Sequence, residues 1–175
     1  MPSLYHAAPD RMVGSVLYPL HELEERAPGA WERERAKYDW RTEVLEKRVQ
    51  ILDCLWNDVL HFGTVHPKQI VAALESAGVE PLRRRFFEVD AAVLDTERTV
   101  VFLNRRGTDG ERRDEEQWLP FDPAALPGLS ALTEPTRRYY RECASRGTRP
   151  LLYGYLPHVL FRGSLETRGL RILEL

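Results

Sequence analysis

The sequence predicts an α+β fold built on a mixed or antiparallel sheet. Three observations lead there. Short apolar segments punctuated by Pro or Gly stand at both ends of the chain, and helical patterns lie between them. The elements run strand, helices, two strands, helix, strands, without the regular strand–helix alternation of a parallel sheet. A G-x-G-x-x-G turn is missing, which argues against a doubly wound dinucleotide fold. At 175 residues, 43% hydrophobic and 30% charged, the chain reads as one globular domain spanning 1–175.

Residues 3–7 read as a strand, ended by Pro9-Asp10, which could open a helical turn. Residues 16–20 are apolar and half buried. Pro28-Gly29 breaks the chain before the strongest periodic signal, over 31–62. There Tyr38, Leu45, Val49, Leu52, Trp56 and Val59 recur at three, four or seven residues, the mark of one helix face. A break near 39–42 would divide this pattern into two helices. Gly63 fits a helix stop, Pro67 a first helical position, and Gly78 the end of a second helix over 68–77. The helical region at about 28–78 thus reads as a long insertion between strands.

Residues 85–90 and 99–104 read as strands, with a helical turn at 91–95. Residues 105–117 are charged and glycine-containing, the composition of an exposed loop. Three prolines mark an irregular crossing at 120–128. Residues 134–146 read as a helix with Tyr139, Tyr140 and Cys143 inward. Residues 151–155, 159–161 and 170–173 read as the closing strands.

The net charge of −2 argues against broad, non-specific nucleic-acid binding, which needs excess Lys and Arg. Arginine clusters at 83–85, 105–106 and 137–138 sit among acidic residues and read as solvated surface. The two cysteines, Cys54 and Cys143, suggest neither a disulfide framework nor a zinc site. No leader and no apolar run of about 20 residues is expected, so the chain reads as soluble and cytoplasmic, with no membrane partner.

Candidate sites centre on histidines. His6, beside Tyr5, stands at a strand end, where it can be held rigidly toward a ligand or satisfied by backbone. Asn57 and His61 share one side of the expected helix with Asp53, and Asp58 stands three residues before His61, placed to raise its pKa. These residues either line a pocket or cap loops. His61, His66 and Asp58 match no strong metal-ligand spacing. His66, just before Pro67, could approach an anion at the next helix start. His158 and Arg162 share a strand face, which suits phosphate, or form an ordinary exposed face. No Ser-His-Asp, P-loop or H-E-x-x-H pattern occurs.

The opening Leu4-Tyr5-His6-Ala7-Ala8, the segment Phe87-Glu88-Val89-Asp90-Ala91-Ala92-Val93-Leu94 and the closing Pro157-His158 with Gly163 resemble, in this order, small bacterial ADP-ribosyltransferase-fold proteins. More distantly they resemble rifamycin-modifying ADP-ribosyltransferases and RNA 2′-phosphotransferases. The resemblance covers about a fifth of the chain. It implies an ADP-ribosyltransferase-like sheet, NAD or a similar nucleotide as ligand, and a ribose-holding role for His6. Ala7-Ala8 replace the family's Gly-Thr, and no residue matches its catalytic glutamate. Glu88 and Glu166 are the carboxylates nearest the strand motifs. The resemblance therefore implies either a transferase acting on an unnamed acceptor or a non-catalytic nucleotide-binding or protein-interaction module.

Overall fold

A computed structural model describes residues 2–39, 42–80, 84–105 and 117–175. The chain opens with β1 (Ser3–Ala7) and β2 (Val16–Leu17), then helices α1 (Leu20–Arg26) and α2 (Pro28–Arg35). Pro28 sits at the first position of α2, where its missing N–H costs nothing. A one-turn helix α3 (Glu43–Glu46) follows, then a small hairpin of β3 (Arg48–Val49) and β4 (Cys54–Leu55). Then come β5 (Leu60–Gly63) and α4 (Pro67–Ser76). Strands β6 (Arg85–Asp90), β7 (Thr99–Phe102) and β8 (Trp118–Pro120) precede α5 (Glu134–Ser145). The chain closes with β9 (His158–Phe161), β10 (Leu165–Glu166) and β11 (Arg171–Glu174).

Among the described residues, seven strands form one antiparallel sheet in the order β11-β6-β1-β5-β9-β7-β8. The α+β class is therefore as expected. Alternation along the strands divides the core between the two sheet faces. On one face lie Leu4, Leu60, Phe62, Phe87, Val89, Val101 and Val159, covered by Leu17, Phe121 and Leu126. On the other face, Val100, Phe102 and Leu160 pack under the β3–β4 hairpin through Val49, Leu52 and Cys54. Farther along that face, α4 and α5 pack through Ile70, Leu74 and Tyr140, and Phe86 meets Tyr5 and Leu173.

The long helix expected over 31–62 does not form. Helix α2 ends at Arg35, and residues 48–63 are strands joined by 3₁₀ turns. Asp53 breaks the pattern with left-handed backbone (φ 45°), and Arg48 and Val49 pair antiparallel with Leu55 and Cys54. Val49, Leu52 and Val59 are buried as the periodicity predicts, but the hairpin and a strand deliver them. Nor is 28–78 a helical insertion, since β5 lies within it and is central to the sheet. Residues 151–155 form turns instead of a strand, with Tyr155 left-handed at φ 58°. No helix opens at Pro9-Asp10. The charged loop expected at 105–117 lies, over 106–116, outside the described residues.

Candidate active site at the ends of the central strands

Strands β1 and β5 are joined by one register pair, Tyr5 with Gly63, and they part beyond it. At that point His6 Nδ1 meets the backbone carbonyl of His61 at 2.8 Å. A carbonyl only accepts, so Nδ1 carries the proton and donates it. Nε2 is then the lone-pair nitrogen. Burial holds the His6 pKa below the ordinary histidine range, against opposing contributions from the His61 carbonyl and Glu34. The ring is a neutral imidazole at neutral pH.

His61 and His158 stand on the opposite face of the sheet from His6. Gly63 faces His158 in register, and His61 faces Leu160. Their rings lie 6.3 Å apart, edge to face. His61 Nε2 donates to the Trp56 carbonyl at 2.8 Å. His158 sits in an aromatic enclosure of Trp56, Phe102 and Tyr153. Burial, then His61 and Lys47, drive its pKa down to about 3. Its Nε2 lies 3.4 Å from Asn104 Nδ2, and its Nδ1 is sealed from solvent with no hydrogen-bond partner.

An open cleft of about 1530 Å³ wraps round these strand ends and is lined by His6, His61 and His158. His6 and His158 both line this cleft, although their side chains leave opposite faces of the sheet. The parting of β1 from β5 makes this possible. Lys37, Lys47, Arg84 and Arg85 also line the cleft, together with Asp10, Glu34, Glu43, Glu46 and Glu174. Lys47 Nζ lies 3.6 Å from the centre of the Trp56 ring and 4.5 Å from that of Phe102, a cation–π arrangement. Lys37 pairs with Glu34 at 2.6 Å.

The far wall of the cleft turns through left-handed backbone. Asn104 is left-handed at φ 50°, and its side-chain amide also donates to the Tyr153 carbonyl at 3.2 Å. Tyr153 donates its hydroxyl to the Tyr5 carbonyl at 3.3 Å, and burial raises its pKa. Non-glycine residues in this conformation persist where the surroundings over-determine them, often at ligand sites. Gly63 lies so close to the Tyr153 ring that a Cβ there would sit 2.6 Å from it.

The other expected site residues lie elsewhere. Tyr5 turns into the core beside Phe86, with His66 edge-on at 5.0 Å. His66 caps α4, accepting from the Lys68 N–H on Nδ1 at 3.2 Å, so that nitrogen is not turned to an anion. Asp58 binds His21 instead of His61, and it accepts from the Leu55 N–H at 2.7 Å. His158, Leu160 and Arg162 do follow one strand face. However, His158 and Arg162 are roughly 13 Å apart along an extended chain, and Arg162 donates to the Leu52 carbonyl at 2.8 Å. They do not form a joint phosphate site. Asn57 is buried and lines a second, smaller cavity of about 140 Å³.

Among the described residues no group of three His, Cys, Asp or Glu is placed to hold a metal ion, and no helix is long and apolar enough to cross a membrane. Sequence reasoning missed Lys47, Trp56, Asn104 and Tyr153 as cleft residues. The Tyr153-Gly154 step and the Asn after an apolar strand were the available signals, since both residue types tolerate tight or left-handed backbone. Compared with family models, curated proteins and solved structures, the chain finds no match.

Proposed function

We propose that the cleft binds an NAD-like nucleotide and that His6 hydrogen-bonds a ribose hydroxyl of it. The observation carrying this reading is the His6 ring. Its Nδ1–H is committed to the His61 carbonyl, which leaves Nε2 to accept from a hydroxyl at the cleft wall. The surroundings suit such a ligand. Lys37, Lys47, Arg84 and Arg85 offer charge to a pyrophosphate. Trp56 and Phe102 add aromatic wall to the cleft, with Lys47 over both rings. The volume exceeds the usual range of ligand pockets, so a dinucleotide has room.

In a transferase of this kind NAD is the substrate. Cleavage at the ribose passes through an oxocarbenium-like state, which a nearby carboxylate stabilises. Glu88 does not supply it, being engaged by Arg171 across β6 and β11 at 3.3 Å. Glu166 accepts from the Thr167 and Arg168 backbone, and neither glutamate lines the cleft. Glu34 lines the cleft and acts electrostatically on His6, but it too is engaged, by Lys37 at 2.6 Å. The engagement of Glu88 and Glu166 favours a second reading, a nucleotide-binding module without turnover.

Titration calorimetry with NAD and with ADP-ribose tests the binding. His6→Ala removes one hydrogen bond, which lowers affinity by between about twofold and a hundredfold, with little change in melting temperature. Failure of the native protein to bind either nucleotide at millimolar concentration overturns the reading. Nicotinamide release from NAD separates the transferase from the binding module.

A further inference from the structure

Helices α1 and α2 are weakly anchored. Across residues 20–35 Ala30 alone is buried. Neither helix contributes a residue to the hydrophobic clusters that hold the sheet, α4 and α5 together. By contrast α4 buries Ile70, Ala73 and Leu74, and α5 buries Tyr140. The two weakly held helices are joined directly. Ala27 ends α1, leads into Pro28 of α2, and accepts from the Ala30 and Trp31 N–H groups. Among the described residues, their other contacts stay local. Arg26 lies over Tyr18, Arg35 over Trp31, and Glu34 pairs with Lys37. One side-chain bond leaves the pair, from His21 Nδ1 on α1 to Asp58, whose second oxygen holds the Leu55 N–H.

Beneath these helices lies the half-open space of about 140 Å³. Leu20, Leu23 and Glu34 line it from the helices, and His6, Leu60 and His61 line it from the sheet. Glu34 acts electrostatically on His6 across it. The chain just before α1 is fixed, since Leu17 pairs with Leu165. Elements with few buried apolar contacts open locally for much less free energy than global unfolding needs. We propose that α1 and α2 form a cover that opens as one body over His6 and is latched by His21 on Asp58. Closed, the cover brings the two leucines and Glu34 toward the histidine. Open, it widens the access to His6. The cover does not depend on the ligand of the cleft being a nucleotide.

The test is amide hydrogen exchange on the full chain without ligand. Amides of residues 23–26 and 30–35 are expected to exchange at least about a hundredfold faster than those of β1, β5 and α4. His21→Ala removes the latch and is expected to speed exchange by about two- to fivefold, the worth of a partly exposed ion pair. The factor is expected to be the same in α2 as in α1, although the substitution lies in α1. Fraying of α1 alone would leave α2 unchanged. Asp58→Asn, which keeps an oxygen for the Leu55 N–H, is expected to act likewise and serves if His21→Ala does not fold. A second readout looks at His6 itself. Diethyl pyrocarbonate acylates an unprotonated imidazole nitrogen, and unlatching is expected to speed its reaction at His6 but not at His66 on α4. Helices that exchange as slowly as the sheet overturn the proposal, as does an effect confined to α1 or an unchanged reactivity of His6. Nucleotide is absent from all of these measurements, so a failure of NAD to bind leaves the cover standing.

Discussion

His158 makes the stability of this protein depend on pH in a calculable way. Its folded pKa is about 3, against roughly 6.5 for a histidine in an unfolded chain. The unfolded chain therefore binds the proton first as pH falls. The stability carried by the neutral ring is complete above pH 6.5 and is lost progressively toward pH 3. Between pH 7 and pH 5 the two titration curves give a loss of about 2 kcal/mol, and the full loss below pH 3 is on the order of 5 kcal/mol. The cause is structural. Trp56, Phe102 and Tyr153 surround the ring and give its Nδ1 no acceptor. His6, also held low by burial, adds in the same direction. His158→Gln removes one titration and leaves the other. Urea unfolding at several pH values from 7 to 5, on native and His158→Gln protein, is the assay. The variant is expected to lose less stability over that interval by about 2 kcal/mol. Equal slopes in the two proteins would falsify the placement of a neutral imidazole with a sealed Nδ1 at 158.

Two further outcomes follow from packing. Leu52 sits under the sheet with Val49, Cys54, Val100 and Leu160. Leu52→Ala is expected to cost about 2–5 kcal/mol in urea unfolding, and a change under about half a kcal/mol would mean that this hairpin is not seated on the core. Gly63→Ala places a Cβ 2.6 Å from the Tyr153 ring. It is expected to cost about 1–3 kcal/mol and to displace the tyrosine from the cleft wall, visible as altered Tyr153 ring resonances. Unchanged stability and resonances would show that the ring moves freely.

The regular elements were legible where one local signal dominated. β1 spans residues 3–7 as read, because Leu4 and Tyr5 alternate between the two faces of a strand. α4 follows Pro67 and stops before Gly78, whose φ is 80°. α5 begins after its Thr133 cap, which accepts from the Thr136 N–H. The misreading of 31–62 has a definite origin. A 3₁₀ turn between short strands returns side chains to one side about every three residues. Val49, Leu52 and Val59 therefore imitate a helix face, while Asp53 supplies the left-handed step that breaks it. The candidate site was half legible. His6, His61 and His158 were singled out as chemical types, and all three line one cleft. That Asp58 serves His21 was not readable, because the partner comes from α1, 37 residues away. Asn104 and Tyr153 were likewise hidden, since their contact spans 49 residues and a turn that read as strand.

The order in which the ribosome delivers the strands is not the order in which they pair. β1 emerges first yet lies inside the sheet, between β5 and β6. It has no permanent neighbour until its partners have been synthesised, and β9, which flanks β5 on the other side, comes later still. Such non-local pairing slows folding, because long loops must close before any contact rewards them. Until then a nascent Leu4-Tyr5-His6 segment with two bare edges is an invitation to foreign strands. A chaperone that shields the β1 segment while the later strands are being synthesised should therefore raise the soluble yield more than one acting after release.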